Sequence, residues 1–203
     1  EPISSISAID LAELHVENGL PVGLSFHGTK IIILPLTDNA IECGEEELNQ
    51  MALPPNRVGE IVVTGNHVLK QYINNPPAEK RNKIKTGTAT WHRTGDAGFR
   101  DENGQLFLCG RCNTLIYENT GKLLVPFIWE SWLGNLDGVT AGTILEHNGK
   151  IIAAAEVKKK TGGKIREQIL SKYPFDEIIF LRHIPRDPRH FSRLDYDKLK
   201  TML

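Results

Sequence analysis

The chain changes texture at Gly110-Arg111, and this change constrains the fold more than any other feature. Before it, short β-branched runs alternate with glycine turns. Residues 22–26 and 30–34 flank a His27-Gly28 turn, 59–65 is an apolar run between two glycines, and 99–108 turns at residues 101–104. Such runs predict strands. Residues 37–57 are polar and acidic and predict a surface loop with one more short strand. Short helices are expected over 9–18, closed by Gly19, and from Ala78 to Lys83.

After Gly110-Arg111, helices and strands alternate. Pro126 opens a predicted helix to about Leu133. Residues 139–147 and 150–157 predict an antiparallel pair around Asn148-Gly149. Residues 164–172 place Ile165, Ile169 and Leu170 at helical spacing. Glu177–Leu181 predicts a strand, and 195–203 a terminal helix. The expected fold class is α+β: a β-rich part over 1–110, then a compact α+β unit over 111–203, of ordinary small-domain size.

Charge and composition exclude several classes. Twenty-four basic against 25 acidic residues give a net charge of −1, so no global field attracts nucleic acid or an anionic membrane. The longest apolar runs, 31–36 and 151–155, are far too short for a membrane span. The first residues show no leader pattern, and they lack an initiator Met, so further residues are expected upstream. Three cysteines make no disulfide framework, and a reducing, cytoplasmic compartment is the expectation.

Several local motifs bear chemistry-capable residues. Cys109-Gly110-Arg111-Cys112 is a CxxC, which serves as a redox pair or as half of a zinc site. A strand leads into it where the redox version needs a helix, and the other cysteine is Cys43. The alternative is two thiols flanking a Gly-Arg that matters for another reason. Asp96, in Thr94-Gly95-Asp96, is either a turn aspartate or an acceptor for two neighbouring hydroxyls. Arg111 is either a surface ion-pair partner or a bidentate phosphate ligand. Lys158-Lys159-Lys160 reads as a solvated strand end, and Gly162-Gly163-Lys164 lacks P-loop spacing. Arg182, His183, Arg186, Arg189, His190 and Arg193 form a basic stretch, suited to solvent or to an anionic substrate.

Read in order, these pieces resemble the acyl-adenylate-forming enzymes, the AMP-dependent synthetases and ligases that include acyl-CoA synthetases. Val58-Gly59-Glu60-Ile61-Val62-Val63-Thr64-Gly65 followed by Tyr72-Ile73-Asn74-Asn75-Pro76 is similar to the family's GEI-v-x-G…GY-x-n-P segment. Trp91-His92-Arg93-Thr94-Gly95-Asp96-Ala97-Gly98-Phe99 is similar to W-x-x-TGD-x-G-y. Residues 101–111 resemble d-x-dG-x-l-x-x-x-GR, and Gly121, Pro126 and Glu130 match the G-x-x-x-x-P-x-x-x-E that follows.

The resemblance implies roles. Asp96 would bind the ribose hydroxyls of AMP, and Arg111 the nucleotide beside it. Asn113 would be the hinge between a large domain ending at 110 and a small mobile domain, 111–203. Gly121 would lie in a loop lining the thiol channel. ATP, Mg²⁺ and CoA would be the cofactors, a carboxylic acid the substrate, and acyl-AMP the intermediate. The tail and the Glu1-Pro2-Ile3-Ser4 start are more similar to fatty-acyl and β-lactone-forming synthetases than to peptide-synthetase domains.

Three departures stand out. Arg193 occupies the position of the family's catalytic lysine, an exchange that is not conservative at a reaction centre. Gln71 replaces the glycine before the motif tyrosine. The Gly/Ser/Thr-rich phosphate loop, the Y-G-x-T-E motif and the acyl pocket are absent. The expectation is therefore a C-terminal piece of a longer ligase, itself inactive and prone to self-association through exposed apolar surface. The alternative is a catalytically impaired nucleotide- or partner-binding homologue.

Overall fold

The computed structural model describes residues 3–6, 19–158, 162–188 and 193–203. The helix expected over 9–18, the side chains of Lys159 and Lys160, and Arg189 and His190 lie outside them. The chain divides into two compact units, Glu1–Asn113 and Thr114–Leu203.

The first unit is built on one antiparallel sheet. Its strands are β1 (Ser4–Ser5), β2 (Leu20–Ser25), β3 (Lys30–Leu34), β4 (Gly59–Thr64), β5 (Lys83–Lys85), β6 (Thr90–Arg100) and β7 (Leu106–Arg111). They run in the order β1-β2-β7-β6-β4-β3, with β5 paired to β6. Alternation along β3 and β4 explains why both faces are covered. Leu34 and Val62 point to one side, joining Ile41, Leu48, Ile84 and Trp91. Ile31, Ile33, Ile61 and Val63 point to the other, joining Leu106.

Two short helices pack on this unit. Helix α1 (Glu45–Met51) falls where a loop with a short strand is expected from the sequence. Three acidic residues fill its first turn, where they complement the helix dipole. Glu47 Oε2 accepts the Gly44 N–H at 3.0 Å, and Leu48 is fully buried. Helix α2 (Pro76–Asn82) starts with proline, and Asn75 caps it by accepting from the Ala78 N–H. These are favourable N-terminal signals.

The second unit has a three-stranded sheet in the order β10-β11-β12: β10 (Val139–His147), β11 (Lys150–Val157) and β12 (Glu177–Leu181). The first pair is antiparallel, the second parallel. Asn148 and Gly149 take φ +53° and +74°, the left-handed geometry of a two-residue hairpin turn. Every strand again alternates between two cores. Ile144, Ala153, Ala155 and Ile178 pack with Leu133 of α3 (Pro126–Gly134) and with Ile165 and Ile169 of α4 (Gly162–Lys172). Ala141, Leu145, Ile152 and Ala154 pack on the other side with Ile184 and with Leu199 of α5 (Tyr196–Lys200). Leu170, expected on the buried face of α4, is exposed. The terminal helix is shorter than expected and gives way to a turn at Thr201. A small hairpin of β8 (Ile116–Tyr117) and β9 (Leu123–Leu124) completes the unit. The architecture is α+β.

Candidate functional site

The middle of β6 departs from regular pairing. Arg93 faces Val62 and Ala97 faces Glu60 across the β4–β6 ladder, so Thr94, Gly95 and Asp96 stand opposite Ile61 alone. Such a bulge bends the strand and re-aims its side chains. Local bonds hold it. Thr94 Oγ1 donates to the Ile61 carbonyl at 2.8 Å and accepts the Asp96 N–H at 3.0 Å. Gly95 sits at φ +71°, a conformation that glycine adopts without the steric penalty of a Cβ.

The bulge sets Asp96 beside the end of β7, where Arg111 is its register partner. Arg111 Nη1 lies 2.7 Å from Asp96 Oδ1, with side chains 42% and 36% exposed. The same nitrogen donates to the Thr94 carbonyl at 3.2 Å. A carboxylate offers about four acceptor positions, so one ion pair leaves Asp96 capacity for a ligand's hydroxyls. The structure thus brings together the two residues singled out for nucleotide binding.

Beneath the bulge lies a buried ion pair that the motif reading leaves without a role. Arg93 and Glu60 are 6% and 5% exposed. Arg93 Nε and Nη2 both donate to Glu60 Oε2, at 2.8 and 2.6 Å. The remaining Arg93 donors reach the backbone carbonyls of Thr37, Asn39 and Arg81. Glu60 Oε1 accepts the Gly95 N–H at 3.1 Å. Both residues stand inside the motifs quoted above, and a buried charge needs such a partner. Their pairing spans two strands and is invisible to local pattern.

The CxxC takes a different environment from the one reactive thiols need. Cys109 is buried in β7, and Cys112 opens a single 3-10 turn at Cys112–Thr114. None of the three cysteines is in a disulfide. Burial pushes both thiols up to about 12; for Cys112 the Glu60 and Asp96 carboxylates add to the effect. Thiolate chemistry requires the opposite shift. Among the described residues, no group of three or more His, Cys, Asp or Glu is placed to hold a metal ion. His92, beside Arg93, is pushed down by burial and by Lys83.

The other predicted residues fall elsewhere. Asn113 is the last residue of the first unit. Gly121 lies in the second unit, in the turn of the β8–β9 hairpin, where its N–H donates to the Glu118 carbonyl. Arg193 is exposed, and its carbonyl accepts from the Asp187 N–H at 2.9 Å beside an isolated Arg186–Leu194 bridge. Just after it, a polar network anchors the start of α5. The Tyr196 hydroxyl donates to Glu130 Oε1, and Thr143 Oγ1 meets both, at 2.7 and 3.1 Å. Burial, then the Glu130 charge, drives the Tyr196 hydroxyl far above the usual phenol range. Of the basic stretch, His183 Nδ1 lies 3.3 Å from Glu156 Oε2.

No family model matches the chain. Curated relatives do. The chain is 30% identical over 138 residues to a 4-coumarate–CoA ligase of Narcissus pseudonarcissus, covering 66% of this chain and 24% of that protein. It is equally identical over 138 residues to one from Solanum tuberosum, with 66% and 25% covered. The chain therefore spans about a quarter of the length of these relatives. Among solved structures, the o-succinylbenzoate CoA synthetase MenE of Bacillus subtilis, in complex with its acyl-adenylate intermediate, matches with a TM-score of 0.75 and 22% identity, over 98% of this chain and 38% of that one. ATP-bound MatB from Rhodopseudomonas palustris matches with a TM-score of 0.68 and 20% identity, over 90% and 35%. Over about two thirds of its length the chain is homologous to part of the 4-coumarate–CoA ligases, and over most of it the fold is that of adenylate-forming enzymes.

Proposed function

We propose that the Asp96–Arg111 pair holds the ribose of an adenine nucleotide, as part of an AMP-forming acid–thiol ligase. The observation that carries this reading is the bulge at residues 94–96, which aims a half-exposed carboxylate beside an arginine. An ionised carboxylate accepting from two vicinal hydroxyls makes strong, charge-assisted bonds. Homology to CoA ligases supplies the reaction class.

In the reaction proposed for the whole protein, a carboxylate oxygen attacks the α-phosphorus of ATP and pyrophosphate leaves. The sulfur of CoA then attacks the acyl carbonyl of acyl-AMP, and AMP departs. Mg²⁺ would enter with the ATP phosphates rather than in a protein cage. In this reading residues 1–110 end a large domain and 111–203 form a small mobile one. Asn113 is the hinge and Gly121 lines the thiol path. The acid is a fatty or related acyl chain, and the compartment cytoplasmic. No helix among the described residues is long and apolar enough to cross a membrane. The 203-residue chain by itself is proposed to bind nucleotide without turning it over.

Calorimetric titration with AMP tests the binding claim. Saturable binding is expected, and its absence at millimolar AMP contradicts the reading. Arg193 favours a second reading, a non-catalytic nucleotide- or partner-binding homologue, because a planar guanidinium does not replace an ammonium point charge at a reaction centre. Pyrophosphate release by the whole protein over a panel of acids separates the two. Turnover supports the ligase. Turnover gained only in Arg193→Lys supports an impaired one.

A further inference from the structure

We infer that Glu60 and Arg93 are positioning residues for Asp96: they fix the bulge that presents its carboxylate to the ribose. This rests on the ribose reading above and adds residues to it.

A buried ion pair by itself says little, because well-packed apolar residues of similar volume often serve stability equally well. The geometry here does something that apolar residues do not. Gly95 has no register partner on either neighbouring strand, so its N–H needs an acceptor from outside the ladder. Glu60 Oε1 is that acceptor, at 3.1 Å. Glu60 Oε2 is in turn held by two Arg93 nitrogens. Arg93 is held by carbonyls from the segment at Thr37 and Asn39 and from the end of α2 at Arg81.

Every donor of this chain of bonds ends on a defined acceptor. The carboxylate therefore has one place to sit, and the amide immediately before Asp96 is fixed to it. Asp96 itself is tied to Thr94 through its own N–H. The two bonds fix the peptide on each side of Gly95, the one residue in the bulge with a permissive backbone. Misplacing a binding group by a fraction of an ångström weakens directional bonds steeply. The inference is that the buried pair sets ribose recognition without touching the nucleotide.

The test is a ratio, the Kd for 2′,3′-dideoxy-AMP divided by the Kd for AMP, which reads only the hydroxyl contacts. For the wild-type chain the ratio is expected at about tenfold or more, the worth of a charge-assisted bond. Glu60→Leu with Arg93→Met removes both charges together and strands neither. In this double variant the ratio falls toward one, while the Kd for dideoxy-AMP stays within about twofold. Glu60→Gln, which keeps an acceptor for the Gly95 N–H, gives an intermediate ratio. A merely structural pair would weaken both ligands in parallel and leave the ratio at its wild-type value, which overturns the inference. Should the double variant lose its circular-dichroism signature, amide hydrogen exchange of the wild-type chain decides: a Gly95 N–H held by the buried Glu60 carboxylate exchanges slowly, and exchange at the rate of an open loop amide overturns the inference. Asp96→Asn separates this claim from the one beneath it. A wild-type ratio near one, or one that Asp96→Asn leaves intact, sinks the ribose reading and this inference with it. A ratio that collapses in Asp96→Asn but persists in the double variant sinks the positioning role alone.

Discussion

Asp96 and Arg111 are register partners on adjacent strands, and their side chains meet at 2.7 Å with more than a third of each exposed. Solvent screens such a pair, so it adds little to folding. Arg111→Gln is expected to change the unfolding free energy by less than about 1 kcal/mol. It is also expected to weaken AMP binding. Urea denaturation and calorimetry check the two effects separately, and a large stability loss would show that Arg111 is structural.

The buried pair beneath it behaves oppositely. Arg93→Met alone leaves the Glu60 carboxylate in the core without its cation. The expected loss is about 3–5 kcal/mol. Glu60→Leu with Arg93→Met should recover only part of it: no lone charge is buried, but the Gly95 N–H and the carbonyls of Thr37, Asn39 and Arg81 lose their partners. A thermodynamic double-mutant cycle by urea denaturation measures this coupling, and additive losses would contradict it.

The thiols of Cys109 and Cys112 should be inert. With folded values near 12 and unfolded values near ordinary thiols, both are protonated in the native state at pH 8. An aromatic disulfide reagent should label them only on unfolding, and rapid native labelling would revive the redox reading. A raised thiol keeps its stabilising contribution below the unfolded value and loses it as pH climbs toward the folded one. Stability should therefore fall between about pH 9 and 12, and replacing both cysteines with alanine should flatten that fall.

In the second unit, Tyr196→Phe removes the hydroxyl shared by Glu130 and Thr143. A buried acceptor left under-satisfied costs about 1–3 kcal/mol, read by denaturant unfolding. The loss should be smaller in a Thr143→Val background, where the network is already broken. An equal loss in both backgrounds would show that Tyr196 does not work through Thr143.

Much of the architecture is written locally. The short apolar runs of β3 and β4, Asn148-Gly149 between β10 and β11, and Pro126 at the head of α3 each carry their own signal. Helix α1 does not, because one buried residue, Leu48, gives no periodicity. Its acidic first turn is held from afar, by Thr86 and Thr88 donating to Glu45. Leu170 misleads for a related reason: Ile165 and Ile169, one turn apart, already fill the face of α4. At the site, motif order singles out Asp96 and Arg111. The bulge is a property of how β4 pairs with β6, and the Glu60–Arg93 pair joins residues 33 apart in sequence. No window along the chain contains either.

Asp96 is proposed to receive the ribose hydroxyls. Titration of the wild-type chain and of Asp96→Asn with AMP and with 2′,3′-dideoxy-AMP tests it most directly. The wild type is expected to prefer AMP by about tenfold or more, and Asp96→Asn to bind both ligands alike. Equal affinity of the wild type for the two ligands, or a preference that survives Asp96→Asn, would contradict it.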